Sequence, residues 1–186
     1  MEYESFLKIK ETYDNFHRFL LKNRMLPFKF TEKGVWGVTP IEETYRFFKK
    51  INLSKFNSFI DLGSGDGRVV LIASLFNLFS KGIEYDDWLV KVSKHIMENL
   101  KLRHFKNVEI VKSDFELHPI SSYDVVFINP DRPFYRGLEE KIKKELKGIL
   151  IVHGYEFQPY TLKKVNEEII NGEKFSVYKN SIKAEQ

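Results

Sequence analysis

The chain has 186 residues, 42% of them hydrophobic and 30% charged, with a formal net charge of +4 and no cysteine. That length buries one sizeable core without requiring a second, and the absence of cysteine closes off disulfides, thiolate metal sites and a cysteine nucleophile together. The longest apolar runs, Val69 to Ala73 and Ile149 to Val152, are far too short to span a bilayer; no charged-then-apolar leader opens the chain, so no membrane contact and a cytoplasmic location are expected.

Over residues 3–25, Phe6, Ile9, Tyr13, Phe16 and Leu20 recur at spacings of three and four, which predicts a helix with one apolar face. That face either packs on the main domain or forms a surface for a dimer or partner helix. Leu26 to Val38 carries Pro27, Gly34 and Gly37 and reads as an irregular connector. Thr39-Pro40-Ile41-Glu42 then presents a capping threonine, a proline at the first helical position and a glutamate three residues after the cap. A helix buried through Ile41, Tyr45 and Phe48 is expected from there. Residues 1–38 thus form an N-terminal helix and connector, and 39–186 the main domain.

From residue 57 onwards strands and helices alternate. Strands are expected at 57–62, 79–84, 107–111, 123–128 and 149–153, and helices at 68–77, 87–102 and 134–146. Only Lys112 to Ser122 separates the third strand from the fourth, which leaves room for at most one helical turn. Beyond residue 160, Leu162, Val165 and Ile169 suggest a further helix, and Phe175 to Tyr178 a closing strand. Such alternation implies an α/β fold, doubly wound around a mostly parallel sheet.

Chemistry concentrates in Phe59-Ile60-Asp61-Leu62-Gly63-Ser64-Gly65-Asp66-Gly67-Arg68, which reads as a strand, a tight turn and a helix. Alternate glycines let backbone and ligand approach closely, and the helix that follows opens with unpaired N–H groups. The dinucleotide pattern G-x-G-x-x-G would want a small residue where Arg68 stands. Asp61 and Asp66 would repel a pyrophosphate and suit a cationic or zwitterionic ligand. Taken singly, Asp61 reads equally well as a strand-end cap, Glu84 as a solvated strand terminus and Asp114 as a turn former.

The D-x-G-x-G-x-G form resembles the first motif of the class I S-adenosylmethionine-dependent methyltransferases, over roughly residues 39–178. The resemblance implies a Rossmann-like methyltransferase sheet behind an N-terminal helical extension, with S-adenosylmethionine as methyl donor. It implies that Gly63, Ser64, Gly65 and Gly67 shape the turn around the methionine portion while Asp61 and Asp66 face its polar groups. Glu84, followed by Tyr85, would hold the ribose, Asp114 and Phe115 would bracket adenine, and Asn129 and Pro130 would stand at the catalytic side of the donor. No metal is implied; among His17, His95, His104, His118 and His153 no ligand-spaced pair occurs, and only His153 falls near the expected site.

The acceptor divides the resemblances. Asn129-Pro130-Asp131-Arg132-Pro133-Phe134-Tyr135 begins like the N/D-P-P-Y/F motif of base and amide methyltransferases, then departs at Asp131. Trp36-Gly37-Val38-Thr39-Pro40, together with Leu150 to Phe157, resembles the small archaeal protein-lysine methyltransferases. In those a Thr-Pro turn lies over the methionine portion, which adds Thr39 and Pro40 to the donor site, and Trp36, Tyr155, Glu156 and Phe157 would furnish an aromatic amine channel. A protein lysine is therefore the first expectation for the acceptor, with Asn129, Pro130 and Tyr155 at the reacting centre. An RNA or DNA base nitrogen comes second, ahead of a non-catalytic S-adenosylmethionine-binding module and a nicotinamide-dependent oxidoreductase.

Overall fold

Strands such as Val125–Ile128 and Ile149–His153 are apolar at nearly every position, a pattern that suits strands covered on both faces. In the computed structural model, which describes residues 2–134 and 137–181, they form the centre of a seven-stranded sheet. Its strands are β3 (Ser58–Leu62), β4 (Phe79–Glu84), β5 (Val108–Lys112), β6 (Val125–Ile128), β7 (Ile149–His153), β8 (Lys163–Ile170) and β9 (Glu173–Lys179), in the spatial order β5-β4-β3-β6-β7-β9-β8. The first five are mutually parallel; β9 runs antiparallel to β7, and β8 antiparallel to β9. The chain winds outward from β3 through β4 to β5 and then returns to place β6 on the other side of β3. Its carboxyl-end crevice at this reversal is where open α/β sheets take ligands.

One face carries α1 (Glu2–Lys22), α2 (Ile41–Lys50), α3 (Arg68–Ser74) and α4 (Asp87–Leu100) over a core rich in phenylalanine. Phe47 of α2 stacks on Phe175 of β9 with ring centroids 4.5 Å apart, and Phe48 meets Phe59 edge-on at 5.6 Å. The other face is covered by α5 (Leu138–Glu145), whose Ile142 packs with Ile60, Val126, Leu150 and Val152. The stripe on α1 is buried at Phe6, Ile9, Tyr13 and Leu20, and Phe6 stacks on Tyr45 of α2 at 3.9 Å. The apolar face of α1 therefore packs on its own chain. No helix among the described residues is long and apolar enough to cross a membrane.

Three expectations need correction. Residues 26–38 are not irregular: β1 (Phe28–Thr31) and β2 (Gly34–Gly37) pair as an antiparallel hairpin in register from Phe28 opposite Gly37 to Thr31 opposite Gly34. Thr39 is not the cap of α2. That position is Pro40, and no side chain caps the helix; the Thr39 hydroxyl instead accepts a bond from Asn129 Nδ2 at 3.1 Å. The helix expected after residue 160 is the strand β8. Val165 and Ile169, expected on that helix, are 45% and 60% exposed, because tertiary pairing with β9 overrides a weak three-and-four spacing. The signal passed over was Asn171-Gly172, both in the left-handed region with φ of 49° and 87°, a pair favoured in tight hairpin turns.

Candidate functional site

The crevice begins at the turn after β3. Gly63, Gly65 and Gly67 all take positive φ, and the N–H groups of Gly63 and Ser64 both donate to the Ile83 carbonyl at 2.9 Å, sealing the turn to β4. Gly67 packs the turn against α4, since a methyl group there would come within 2.8 Å of Ser93 Cβ. The Ser64 hydroxyl is buried with no protein partner.

Glu84, at the end of β4, is the brace of this turn. One carboxylate oxygen accepts from Gly65 N–H at 2.8 Å, and the other accepts from the N–H groups of Tyr85 and Asp86, both at 2.8 Å. Asp61 is buried at the end of β3; burial, with the nearby charges of Glu84 and Asp66, pushes its carboxyl well above the usual range. Asp66 is differently placed. Arg68 donates to both of its oxygens at 2.6 to 3.1 Å, donates further to the Thr39 carbonyl at 3.3 Å, and stands 4.8 Å from the centre of the Tyr13 ring. The turn therefore neutralises Asp66 internally, while among the described residues no ion pair reaches Asp61 or Glu84.

Two lobes open from the turn. The outer one, about 660 Å³, is lined by Gly63, Gly65, Glu84, Tyr85, Asp114 and Phe115 among others. In it, Asp114 accepts from Glu116 N–H at 2.9 Å and pairs with Lys33 at 2.8 Å; burial would raise its pKa, but these two partners hold the carboxyl below the usual range. The inner lobe contains Thr39, Asp61, Ser64, Asp66 and Arg68, and ends at Asn129 and Pro130. Pro40 lines neither lobe. Between the two stands Trp36 of β2, which lines both, its indole so close that a methyl group on Gly65 would lie 2.5 Å from Cδ1.

The hairpin that carries Trp36 is tied to the rim of the crevice. Lys29 bonds Asp86, Val35 N–H donates to Asp131 at 2.6 Å, and Arg132 donates to the Lys33 carbonyl at 2.6 Å. Trp36, expected in the acceptor channel, lies instead over the glycine turn.

Asn129 and Pro130 also wall a third space, shared with His153, Gly154, Tyr155, Glu156 and Phe157. Tyr155 is 54% exposed there and its hydroxyl donates to the Gly172 carbonyl at 2.9 Å. Phe134 does not reach this space; it is buried with Leu138 and Ile142 under α5, and Tyr135 lies outside the described residues. No group of His, Asp and Glu suited to a metal ion occurs among the described residues. Sequence reasoning missed Arg68 and Lys33 as site residues. Arg68 was legible as a cation two positions from Asp66, whereas Lys33 meets Asp114 only through the hairpin.

A family model described as histone methylation protein DOT1 matches residues 22–179. Among solved structures, the chain is similar to an RNA methyltransferase from Salinibacter ruber in complex with S-adenosyl-L-homocysteine, at 21% identity over 77% of this chain and 93% of that one, with a TM-score of 0.62. It is also similar to a Pyrococcus abyssi tRNA (uracil-54, C5)-methyltransferase, at 12% identity over 77% of this chain and 40% of that one, again with a TM-score of 0.62. A mutant of MtNAS in complex with S-adenosylmethionine aligns over 95% of this chain and 71% of its own, at 11% identity and a TM-score of 0.62. No curated protein matches the chain.

Proposed function

The chain belongs to the DOT1 histone methylation family, and from that premise we propose that it methylates a lysine side chain of a protein. It is an S-adenosylmethionine-dependent methyltransferase; the donor, when bound, supplies a sulfonium methyl that is already electrophilic. What the residues must add is alignment of the nucleophile, exclusion of water and disposal of a proton.

The observation that carries the donor assignment is the uneven neutralisation of the turn. With Asp66 cancelled by Arg68, the carboxyl groups left without a cation in the crevice are Asp61 and Glu84, and a donor bearing a sulfonium and an α-ammonium supplies the positive charge that favours their ionised forms. In this reading Asp61 and Thr39 border the methionine portion, while Glu84, whose carboxylate already accepts from the N–H groups of Gly65, Tyr85 and Asp86, turns its one remaining lone pair, on the oxygen bonded to Gly65, to the ribose. Asp114 and Phe115 bracket the adenine, with Lys33 reaching Asp114 from the hairpin.

For the acceptor, Asn129 and Pro130 support the reading, because they line both the inner lobe and a pocket bordered by Tyr155 and Phe157, so the two spaces share these residues. An extended alkyl-amine can enter such a pocket end-on. Stacking of a planar base, the alternative use of Asn129-Pro130, is disfavoured by Phe134, which is packed into the core, and by Asp131, which is engaged by Val35 N–H.

Incubation of the protein with methyl-labelled donor and either histones or RNA tests the proposal. Label that protease removes and ribonuclease leaves, recovered as methyl-lysine after hydrolysis, is the expected result. Label that survives protease and is lost to ribonuclease would overturn the lysine assignment.

A further inference from the structure

His153 closes β7 on the acceptor side of the Asn129-Pro130 wall. Since Ile128 pairs with Val152 in parallel register, Asn129 and His153 are the next neighbours along the two strands. Alternation along each strand sends both side chains to the same face. His153 is only 6% exposed, its ring 4.9 Å from that of Phe175, yet it contributes to the lining of the acceptor pocket. Its Nε2 lies 2.9 Å from a carboxylate oxygen of Glu173, and its Nδ1 is buried with no hydrogen-bond partner. A carboxylate at Nε2 assigns the ring proton there, which leaves Nδ1 as a bare lone pair. A buried acceptor left without a partner is costly, and a native structure that carries one calls for an explanation.

We propose that His153, backed by Glu173, is the proton acceptor for the incoming lysine, a catalytic role that rests on the lysine reading above. The ammonium N–H bond breaks and its proton passes to Nδ1, giving an imidazolium paired with the Glu173 carboxylate. The freed amine pair then forms the N–C bond as the methyl–sulfur bond breaks and its electrons return to sulfur. From the imidazolium the proton leaves by way of Glu173, whose side chain is 37% exposed. Burial lowers the proton affinity of His153 and Glu173 raises it, with burial dominant, so the ring is neutral and able to accept near physiological pH. Glu156 lines the same pocket, and Lys174, next to Glu173 in the chain, stands over the ring of Tyr155 at 5.5 Å.

The test is steady-state methylation of a histone peptide by the full chain, with pH varied from about 6 to about 10, for the wild type, His153→Gln and Glu173→Gln. His153→Gln is expected to lower kcat by about 100-fold near neutral pH, to recover progressively as the free lysine deprotonates, and to bind the donor as the wild type does by calorimetry. Glu173→Gln should move the acidic limb of the profile to lower pH, because the imidazolium loses its counter-charge. A His153→Gln variant with wild-type kcat, or with a loss equal at every pH, would overturn the role. Should that variant fail to bind donor, an unmoved acidic limb in Glu173→Gln overturns it instead. Wild-type protein that labels RNA and no lysine would refute the underlying acceptor reading, an outcome separable from all of these.

Discussion

Glu84→Gln isolates the brace of the donor turn. The wild-type carboxylate accepts three N–H groups, two on one oxygen and one on the other. An amide keeps a single acceptor oxygen, and its better orientation turns that oxygen to Tyr85 and Asp86, which sets an NH2 group against the Gly65 N–H. One charge-assisted bond is lost and a buried donor is left facing a donor, at a cost of about 1.5–3 kcal/mol. For a chain of this length each kcal/mol shifts Tm by roughly 2–4 °C, so a fall of about 3–12 °C in thermal unfolding is expected. Donor affinity measured by calorimetry should weaken further, by at least about tenfold, because Gly65 is then free to leave the conformation that shapes the crevice and the ribose loses a carboxylate. Unchanged Tm together with unchanged donor affinity would refute both roles.

Asp61→Asn should act in opposite directions on stability and binding. Folded Asp61 holds its proton above the usual aspartate range, so its contribution to stability is fully present below the unfolded pKa and is lost as pH rises through the folded value. At neutral pH the asparagine variant should therefore melt at a higher temperature than the wild type and bind donor more weakly; the Tm gap should close in acid, as melting curves across pH would reveal. Arg68→Met strands Asp66 as a buried charge and should cost about 3–5 kcal/mol in denaturant unfolding, most of it regained when Asp66→Asn is added. Gly65→Ala places a methyl group 2.5 Å from Trp36 Cδ1 at a φ of +55°, so donor affinity should collapse. Adding Trp36→Ala relieves the contact and not the backbone strain, and should restore it only in part.

The parallel half of the fold was legible because β3, β6 and β7 are short apolar runs, and because amphipathic patterns between strands mark the crossover helices that parallel pairing requires. Asp61, Glu84, Asp114 and Asn129 could be placed at one sheet edge for the same reason: each lies at or just past the end of a strand, and parallel strands bring their carboxyl ends together. What escaped was decided by contacts between distant segments. Thr39 has a good capping sequence, yet its hydroxyl meets Asn129, 90 positions away, and its carbonyl meets Arg68. β8 has no apolar alternation to declare it, since most of its side chains face solvent; its identity comes from the Asn171-Gly172 turn and from β9. The hairpin at 28–37 hid behind two glycines and a proline that suit loops as well as turns, and with it went the placement of Trp36 over Gly65.

Tyr13 of α1 donates its hydroxyl proton to the Asp66 carbonyl at 2.8 Å, a bond between residues 53 positions apart. During synthesis α1 thus leaves the ribosome well before the loop it completes, which is built only after β3 and the glycines behind it have been added. Until then its apolar stripe has only α2 to pack against, through Phe6 and Tyr45, so the growing chain carries a partly exposed hydrophobic segment for the time taken to add those residues, on the order of seconds at ordinary elongation rates. The donor turn and the N-terminal helix then mature in one step. Amide exchange at the two, followed during refolding, would accordingly become protected together.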